Sequence, residues 1–176
     1  MGIFGPSLDE VWGDFAAIHQ YDFTKGSFLK TPRVVNRYKQ FEIVMDRYVV
    51  SNGKSSTTYT RFRVFVDNEL GLSFKLGNRH VFSGIADMLG FRRISSGSAE
   101  IDSAYIIKGN DPETVQKIFT DGNLHSLILD VGKIHLSLKK EKLEFLRLGL
   151  LKDFHRLERI FLLMRRVLDL YSTCGM

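Results

Sequence analysis

The sequence contains a single cysteine and no long apolar run, and each scarcity excludes a class of protein. Only Cys174 of the 176 residues is a cysteine, so the chain cannot form an intrachain disulfide or a thiolate zinc site. The longest unbroken apolar run spans residues 160–164, whereas a helix that crosses a bilayer needs about 20 such residues. Acidic residues interrupt the early apolar stretch at Asp9, Glu10 and Asp14, so we expect no cleavable export signal. These features favour the reducing cytoplasm.

The excess of positive over negative charge is small. Lys and Arg number 25 and Asp and Glu number 20, which gives a net charge of +5 and a pI near 9.3. This balance attracts anionic surfaces but is well short of a basic tail. The basic residues occur in short groups, which are typical of solvated faces, and a polyanion-binding surface is the alternative. With 44% apolar residues, the chain has the composition of one globular domain, residues 1–176.

Helices are predicted where capping residues precede apolar residues at spacings of three and four. Ser7 and Glu10 match a capping box, in which each side chain binds the backbone amide of the other. Asp111, Pro112 and Glu113 supply a second start signal. The expected helices cover about residues 8–19, 80–90, 112–119, 124–131 and 154–171.

Two of these helices have features that bear on function. Trp12 lies on the apolar stripe of the first helix and is predicted to be a core anchor, with an aromatic platform for a ligand as the alternative. Leu162, Leu163 and Leu170 widen the stripe of the last helix. This helix either packs on two sides within the chain or is shared with a second copy, so a homo-oligomer through the C-terminal helix is one hypothesis.

Strands are predicted from alternating runs and from runs rich in β-branched and aromatic residues. They cover residues 33–37, 41–50, 59–66, 72–76, 104–107, 134–139 and 143–148. We expect a loop at 20–32, turns at 51–58 and 67–71, a break in the sheet at 77–79 and a polar linker at 95–98. The pattern predicts an α+β fold: a curved antiparallel sheet of about six strands, packed by the N-terminal and C-terminal helices.

No motif assigns a catalytic, cofactor-binding or metal-binding residue. Gly53, Lys54 and Ser55 match the end of a Walker loop, but Tyr48 stands where that loop needs its first glycine, and no helix is expected to follow. The five histidines stand alone in the sequence, without the spacing that metal ligation requires. We therefore predict no cofactor and no metal.

The basic residues of two neighbouring strands form the one candidate anion-binding set. Arg61 and Arg63 share one side of their strand with Tyr59, and Arg47 belongs to the preceding strand. A basic sheet face with an aromatic residue can stack bases and bind phosphates. Binding of nucleic acid or of an anionic membrane through this face is therefore one alternative function.

Acidic residues provide the other alternative. Glu100 and Asp102 flank Ile101 just before a predicted strand. Two carboxylates that share a proton can act as general acid and base, so an enzyme or small-molecule site would need them to converge with His80. Turn and helix-capping roles are the competing interpretation of these acids and of Asp121.

Several passages resemble prokaryotic domain-of-unknown-function proteins. They are the early helix with Trp12, the strand at 60–64, the stretch from Asp102 through Gly-Asn-Asp to Pro112, and the closing hairpin and helix. The resemblance covers about residues 40–170. It implies an α+β fold and no established activity, catalytic residue or cofactor.

The polar residues of the sequence fit caps and turns, and no group of them departs from this local folding logic as catalytic residues do. We therefore predict a non-catalytic cytoplasmic binding or regulatory module that acts through protein–protein contacts. Binding through the basic face and an acid/His site are the two alternatives.

Overall fold

The structure is a computed structural model that describes residues 5–79 and 90–174. Within these residues it contains five helices and nine strands. The helices are α1 (Leu8–His19), α2 (Ala99–Ala104), α3 (Pro112–Phe119), α4 (Gly122–Val131) and α5 (Phe154–Cys174). The strands are β1 (Asp22–Thr24), β2 (Arg33–Tyr38), β3 (Phe41–Ser51), β4 (Ser56–Phe65), β5 (Phe74–Asn78), β6 (Arg92–Ile94), β7 (Tyr105–Gly109), β8 (His135–Lys139) and β9 (Lys142–Leu148). The helix expected at about 80–90 falls on residues 80–89, outside the described ranges, and so does His80.

The strands pair in one antiparallel sheet, in the order β1-β2-β3-β4-β9-β8-β5-β7-β6, with β1 and β6 as the described edges. The α+β class is therefore confirmed, but about six strands was an undercount. The two missed strands, β1 and β6, have three residues each. Three residues are too few to show an alternating pattern, and pairing with β2 and β7 is what makes them strands.

In the second half of the sheet one local prediction was wrong, and one short helix was not predicted. Gly77 does not break the sheet, because it lies inside β5 between Ile106 of β7 and His135 of β8. The segment after the 95–98 linker begins with a helix, α2, whose N-cap Ser98 accepts from the amide of Ile101. Neighbouring strands on both sides of β5 outweigh the weak strand propensity of glycine.

The predicted caps and core anchor are confirmed. Ser7 and Glu10 form both bonds of the capping box at the start of α1, and Asp111 caps α3 through the amide of Thr114. Trp12 is fully buried, and its indole N–H donates to the carbonyl of Leu151 at 2.8 Å. The indole therefore has both an apolar environment and a partner for its one polar atom.

Helix α5 is packed on two sides within the chain. It contacts α3 and α4, and the ring of Phe161 lies 5.9 Å from that of Phe15 on α1 and 5.1 Å from that of Phe62 on β4. Leu163 is fully buried and Leu170 packs against the core, so burial within the chain accounts for most of the wide apolar stripe of this helix. No described helix has the length and the hydropathy that a bilayer crossing requires.

The sheet has two different faces. The buried residues of the helices and of alternate strand positions belong to one apolar cluster, and on this helix-covered face Met45, Phe62 and Phe145 are neighbours across β3, β4 and β9. The intervening positions of the same strands point the other way. We call that side the polar face, and define it by Asp46, Arg61, Arg63 and Glu144.

Candidate functional site

The predicted anion-binding arginines are paired with acids on the polar face. Asp46 lies opposite Arg61 across β3 and β4, and two bonds of 2.8 Å join its carboxylate to the Arg61 guanidinium. Arg63 donates to the same carboxylate at 3.1 Å. Because Asp46 is 5% exposed, these arginines satisfy a buried charge, which would otherwise be costly.

Further contacts surround Arg61. A carboxylate oxygen of Glu144 lies 4.0 Å from the guanidinium and 3.0 Å from the ammonium of Lys142. The guanidinium also stacks 4.4 Å from the centre of the Tyr48 ring. Hydrogen bonding to Asp46 raises the pKa of Arg61, although burial acts in the opposite direction. The positive charge of this cluster is thus largely balanced inside the sheet.

The structure does not bring the third predicted residue to this cluster. Arg47 follows Asp46 in β3 and so points to the opposite side of the sheet, where it lies across from Thr60. Its side chain is exposed. Arg61 and Arg63 therefore share one carboxylate, Arg47 belongs to another surface, and anion binding by the three residues stays a prediction.

The candidate acid site consists of turn and cap contacts among the described residues. Asp102 accepts from the hydroxyl of Ser95 at 2.5 Å and from the amide of Ser96 at 2.9 Å. Burial raises the pKa of Asp102, but these hydrogen bonds outweigh it and leave the pKa lowered. Glu100 is exposed, and Asp121 caps α4 through the amide of Leu124 at 2.8 Å. Asp102 thus has a turn role and Asp121 a helix-capping role, as the competing interpretation predicts.

The described part of the chain contains no candidate metal site, because no three His, Cys, Asp or Glu side chains meet there. Burial, followed by the charge of Lys75, lowers the pKa of His135, and Glu144 opposes this shift.

A groove opens where the β2–β3 turn, the end of β4 and the end of α5 meet. We call it the acidic groove. It has a volume of about 530 Å³, and the residues that line it include Phe41, Phe65, Asp67, Glu69, Leu70 and Tyr171. Phe65 is 66% exposed and Leu70 54% exposed, so two large apolar side chains lie beside two carboxylates in solvent.

The loop that forms the floor of the acidic groove is held in place. The hydroxyl of Tyr171 donates to the carbonyl of Asp67 at 2.8 Å. The amide side chain of Asn68 donates to the carbonyl of Leu72 at 2.8 Å and accepts from the amide of Leu72 at 3.0 Å. Gly71 has a φ of +59°, which a side chain would disfavour. Leu70 and the two acidic side chains therefore project from an ordered loop, and Phe65 projects from the end of β4 beside it.

The sequence predicted this loop only as a turn and missed the groove. One signal was present: Phe65 continues the alternating series of Arg61 and Arg63, so a large apolar residue occupies the wet side of its strand. The other walls come from residues about 25 and 100 positions away in the chain, and a single sequence does not show which of them meet.

Comparison with known proteins identifies the fold. No family model matches the chain, and no curated protein matches it. One solved structure is similar, the mycobacterial trehalose monomycolate transport factor A, TtfA, with a TM-score of 0.58, 8% sequence identity and 93% of each chain covered. These findings agree with the resemblance described above, which implies an α+β fold and no established activity.

Proposed function

We propose that the protein is a non-catalytic cytoplasmic binding module that uses the acidic groove to bind a segment of a partner protein. The observation that carries the proposal is that exposed Phe65, at the end of β4, and exposed Leu70 lie in one groove with the carboxylates of Asp67 and Glu69. A complementary segment would present Lys or Arg beside an apolar side chain.

The shape of the groove favours a peptide over a small metabolite. Sites for small molecules bury most of the ligand surface, whereas Phe65 and Leu70 in this groove are more than half exposed. An ordered loop also loses little conformational freedom when a partner binds.

The local charge favours a cationic partner. Asp67 and Glu69 are exposed acids in a chain with a net charge of +5, so the groove differs in sign from the molecule as a whole. Complementary charge accelerates encounter and selects the partner.

The other predicted surfaces have less support. Arg61 and Arg63 already bind Asp46, which reduces the charge available to a nucleic acid or an anionic membrane. The apolar stripe of α5 is buried within the chain, so a homodimer through this helix stays a prediction without its original reason. The solved structure with a similar fold is that of a transport factor, a role that is compatible with action through contacts.

The test uses a short peptide of alternating Lys and Phe as the probe, with a peptide of alternating Glu and Phe for comparison. We expect the Lys-containing peptide to shift the amide resonances of Phe65, Leu70 and Tyr171 in the full chain. The double variant Asp67→Lys with Glu69→Lys should weaken its binding by at least about tenfold, because two attractive charges become repulsive.

The matched control is Asp14→Lys with Glu158→Lys, which reverses two exposed acids on helix surfaces. This variant should bind the probe like the wild-type chain. Equal weakening by both double variants would reduce the effect to net charge, and amide shifts that avoid the acidic groove would contradict the proposal.

A further inference from the structure

A second surface lies at the opposite end of β3, where a tight turn presents two apolar side chains to solvent. Ser27 and Lys30 close this turn through reciprocal backbone bonds of 2.8 and 3.3 Å. Phe28 and Leu29 occupy its two central positions and are 102% and 88% exposed. We call residues 27–30 the apolar turn.

The apolar turn is anchored to its surroundings. The amide of Gly26 donates to a carboxylate oxygen of Asp9 at 3.3 Å. A Cβ atom at Gly26 would lie 2.9 Å from the ring of Pro32, which is itself buried, so the chain passes closely at this point and needs a glycine. The two apolar side chains are therefore presented by a preorganised backbone.

The apolar surface continues below the turn. An open groove of about 610 Å³ runs between the turn, the start of α1 and the end of β3. Val49 and Leu150 line it and are 42% and 41% exposed. An exposed apolar patch of this kind marks an interaction site in a soluble protein.

Basic residues surround this patch. Lys25 and Lys30 flank the apolar turn in sequence and are exposed, and Lys30 and the exposed Arg47 line the groove. The acid among the residues that line the groove is Asp9, which already accepts the Gly26 amide. The apolar turn thus projects from a positively charged rim.

We propose that the apolar turn inserts Phe28 and Leu29 into the interface of an anionic lipid bilayer, with Lys25, Lys30 and Arg47 in contact with the headgroups. A membrane fits better than a protein pocket because the two side chains project from a turn instead of lining a cavity. Aromatic and aliphatic residues bordered by lysines and arginines are the composition that peripheral membrane segments use. Long basic side chains can reach the headgroups while their stems cover apolar surface.

The geometry leaves the acidic groove free. β3 runs from Phe41 in the acidic groove to Val49 beside the apolar turn, a distance of about 26 Å at ~3.3 Å per residue. A membrane at one end of this strand would therefore not block a partner protein at the other.

Flotation of the full chain with vesicles tests the inference. We expect binding to vesicles made of equal parts phosphatidylcholine and phosphatidylglycerol, and little binding to pure phosphatidylcholine. Phe28→Ser with Leu29→Ser should weaken binding by at least about 30-fold, because two apolar side chains no longer leave water. Lys25→Gln with Lys30→Gln should weaken it by about fivefold for each charge removed.

The matched control is Phe65→Ser with Leu70→Ser, which removes two exposed apolar side chains from the acidic groove. It should float like the wild-type chain. Insertion is read directly from Phe28→Trp, whose fluorescence should shift to the blue with anionic vesicles, while Phe65→Trp should not change.

Three results would overturn the inference. They are no flotation of the wild-type chain, equal loss in the Phe65→Ser and Leu70→Ser control, and flotation that survives the removal of Phe28 and Leu29. The last result would indicate electrostatic adsorption without insertion. None of them bears on the peptide binding proposed for the acidic groove, so the two proposals fail separately.

Discussion

The two faces of the sheet are built from the same strands but are held together by different forces. On the helix-covered face, the ring of Phe62 packs 6.0 Å from that of Phe145 and 5.1 Å from that of Phe161. On the polar face, one residue away in β4, Arg61 binds Asp46 through two hydrogen bonds. The first face depends on apolar area and close packing, and the second depends on the identity of each partner.

This difference changes how basic residues on a strand should be interpreted. Arg63 lies directly across from Glu144, and Arg61 lies directly across from Asp46. Opposite charges at such cross-strand positions attract each other. A basic series in one strand is therefore not evidence for a basic surface until the residues on the neighbouring strands are known.

The largest effect should come from the helix-covered face. Phe62 is fully buried, so Phe62→Ala should lower the free energy of unfolding by about 3–5 kcal/mol, through lost burial and the cavity left behind. Urea denaturation followed by circular dichroism measures this change. Phe65→Ala is the control, because Phe65 has the same side chain three residues later on the other side of the strand and is 66% exposed.

The control should change the free energy of unfolding by no more than about 0.5 kcal/mol. Similar losses for Phe62→Ala and Phe65→Ala would mean that the two faces contribute alike, which contradicts the comparison.

A smaller effect is expected on the polar face. Asp46→Ala leaves the guanidiniums of Arg61 and Arg63 without their shared carboxylate, and it should lower the free energy of unfolding by about 2–3 kcal/mol. The exposed Asp14 provides the control, since Asp14→Ala removes a carboxylate from a helix surface and should leave the stability unchanged.

A double-mutant cycle tests whether the pairing itself is responsible. Asp46→Asn and Arg61→Gln should show a coupling energy of about 1–2 kcal/mol, because each substitution alone already breaks the bidentate contact. Additive losses would show that the two side chains act independently, and the polar face would then resemble an ordinary solvated surface.

The helix-covered face was largely predictable and the polar face was not. Spacings of three and four along α1 and α5 and alternation along β4 are enough to place Trp12, Phe62 and Phe161 in the core, because each pattern lies within a single element. The pairing of Arg61 with Asp46 depends on the register of β3 against β4. A register shift of one residue would move Asp46 to the other face. The turn at 52–55 sets this register, and the sequence alone did not determine the length of that turn.

The candidate sites were hidden for the same reason. Phe41, Phe65 and Tyr171 meet in the acidic groove although they are far apart in sequence. The apolar turn was predicted only as a loop. Its proposed function depends on the exposure of Phe28 and Leu29, which can be seen only in the folded structure. Conversely, Arg47 looked like part of the basic set, and the alternation of β3 alone would have placed it with Met45 on the other side.

The smallest effect concerns pH, and it should be confined to the polar side of the sheet, where His135 pairs with Gly77. Burial and the charge of Lys75 lower the pKa of His135 from its ordinary value of 6.5. His135 therefore binds a proton more weakly in the folded chain than in the unfolded chain. The contribution of His135 to stability is therefore complete above about pH 6.5 and declines as the pH falls from there toward the lowered pKa. His135→Gln should flatten this part of the profile of unfolding free energy against pH, whereas His155→Gln, at an exposed position of α5, should leave the wild-type slope. If the slope persists in His135→Gln, another group causes the pH dependence of stability. The polar face would then not differ from the helix-covered face in its response to pH.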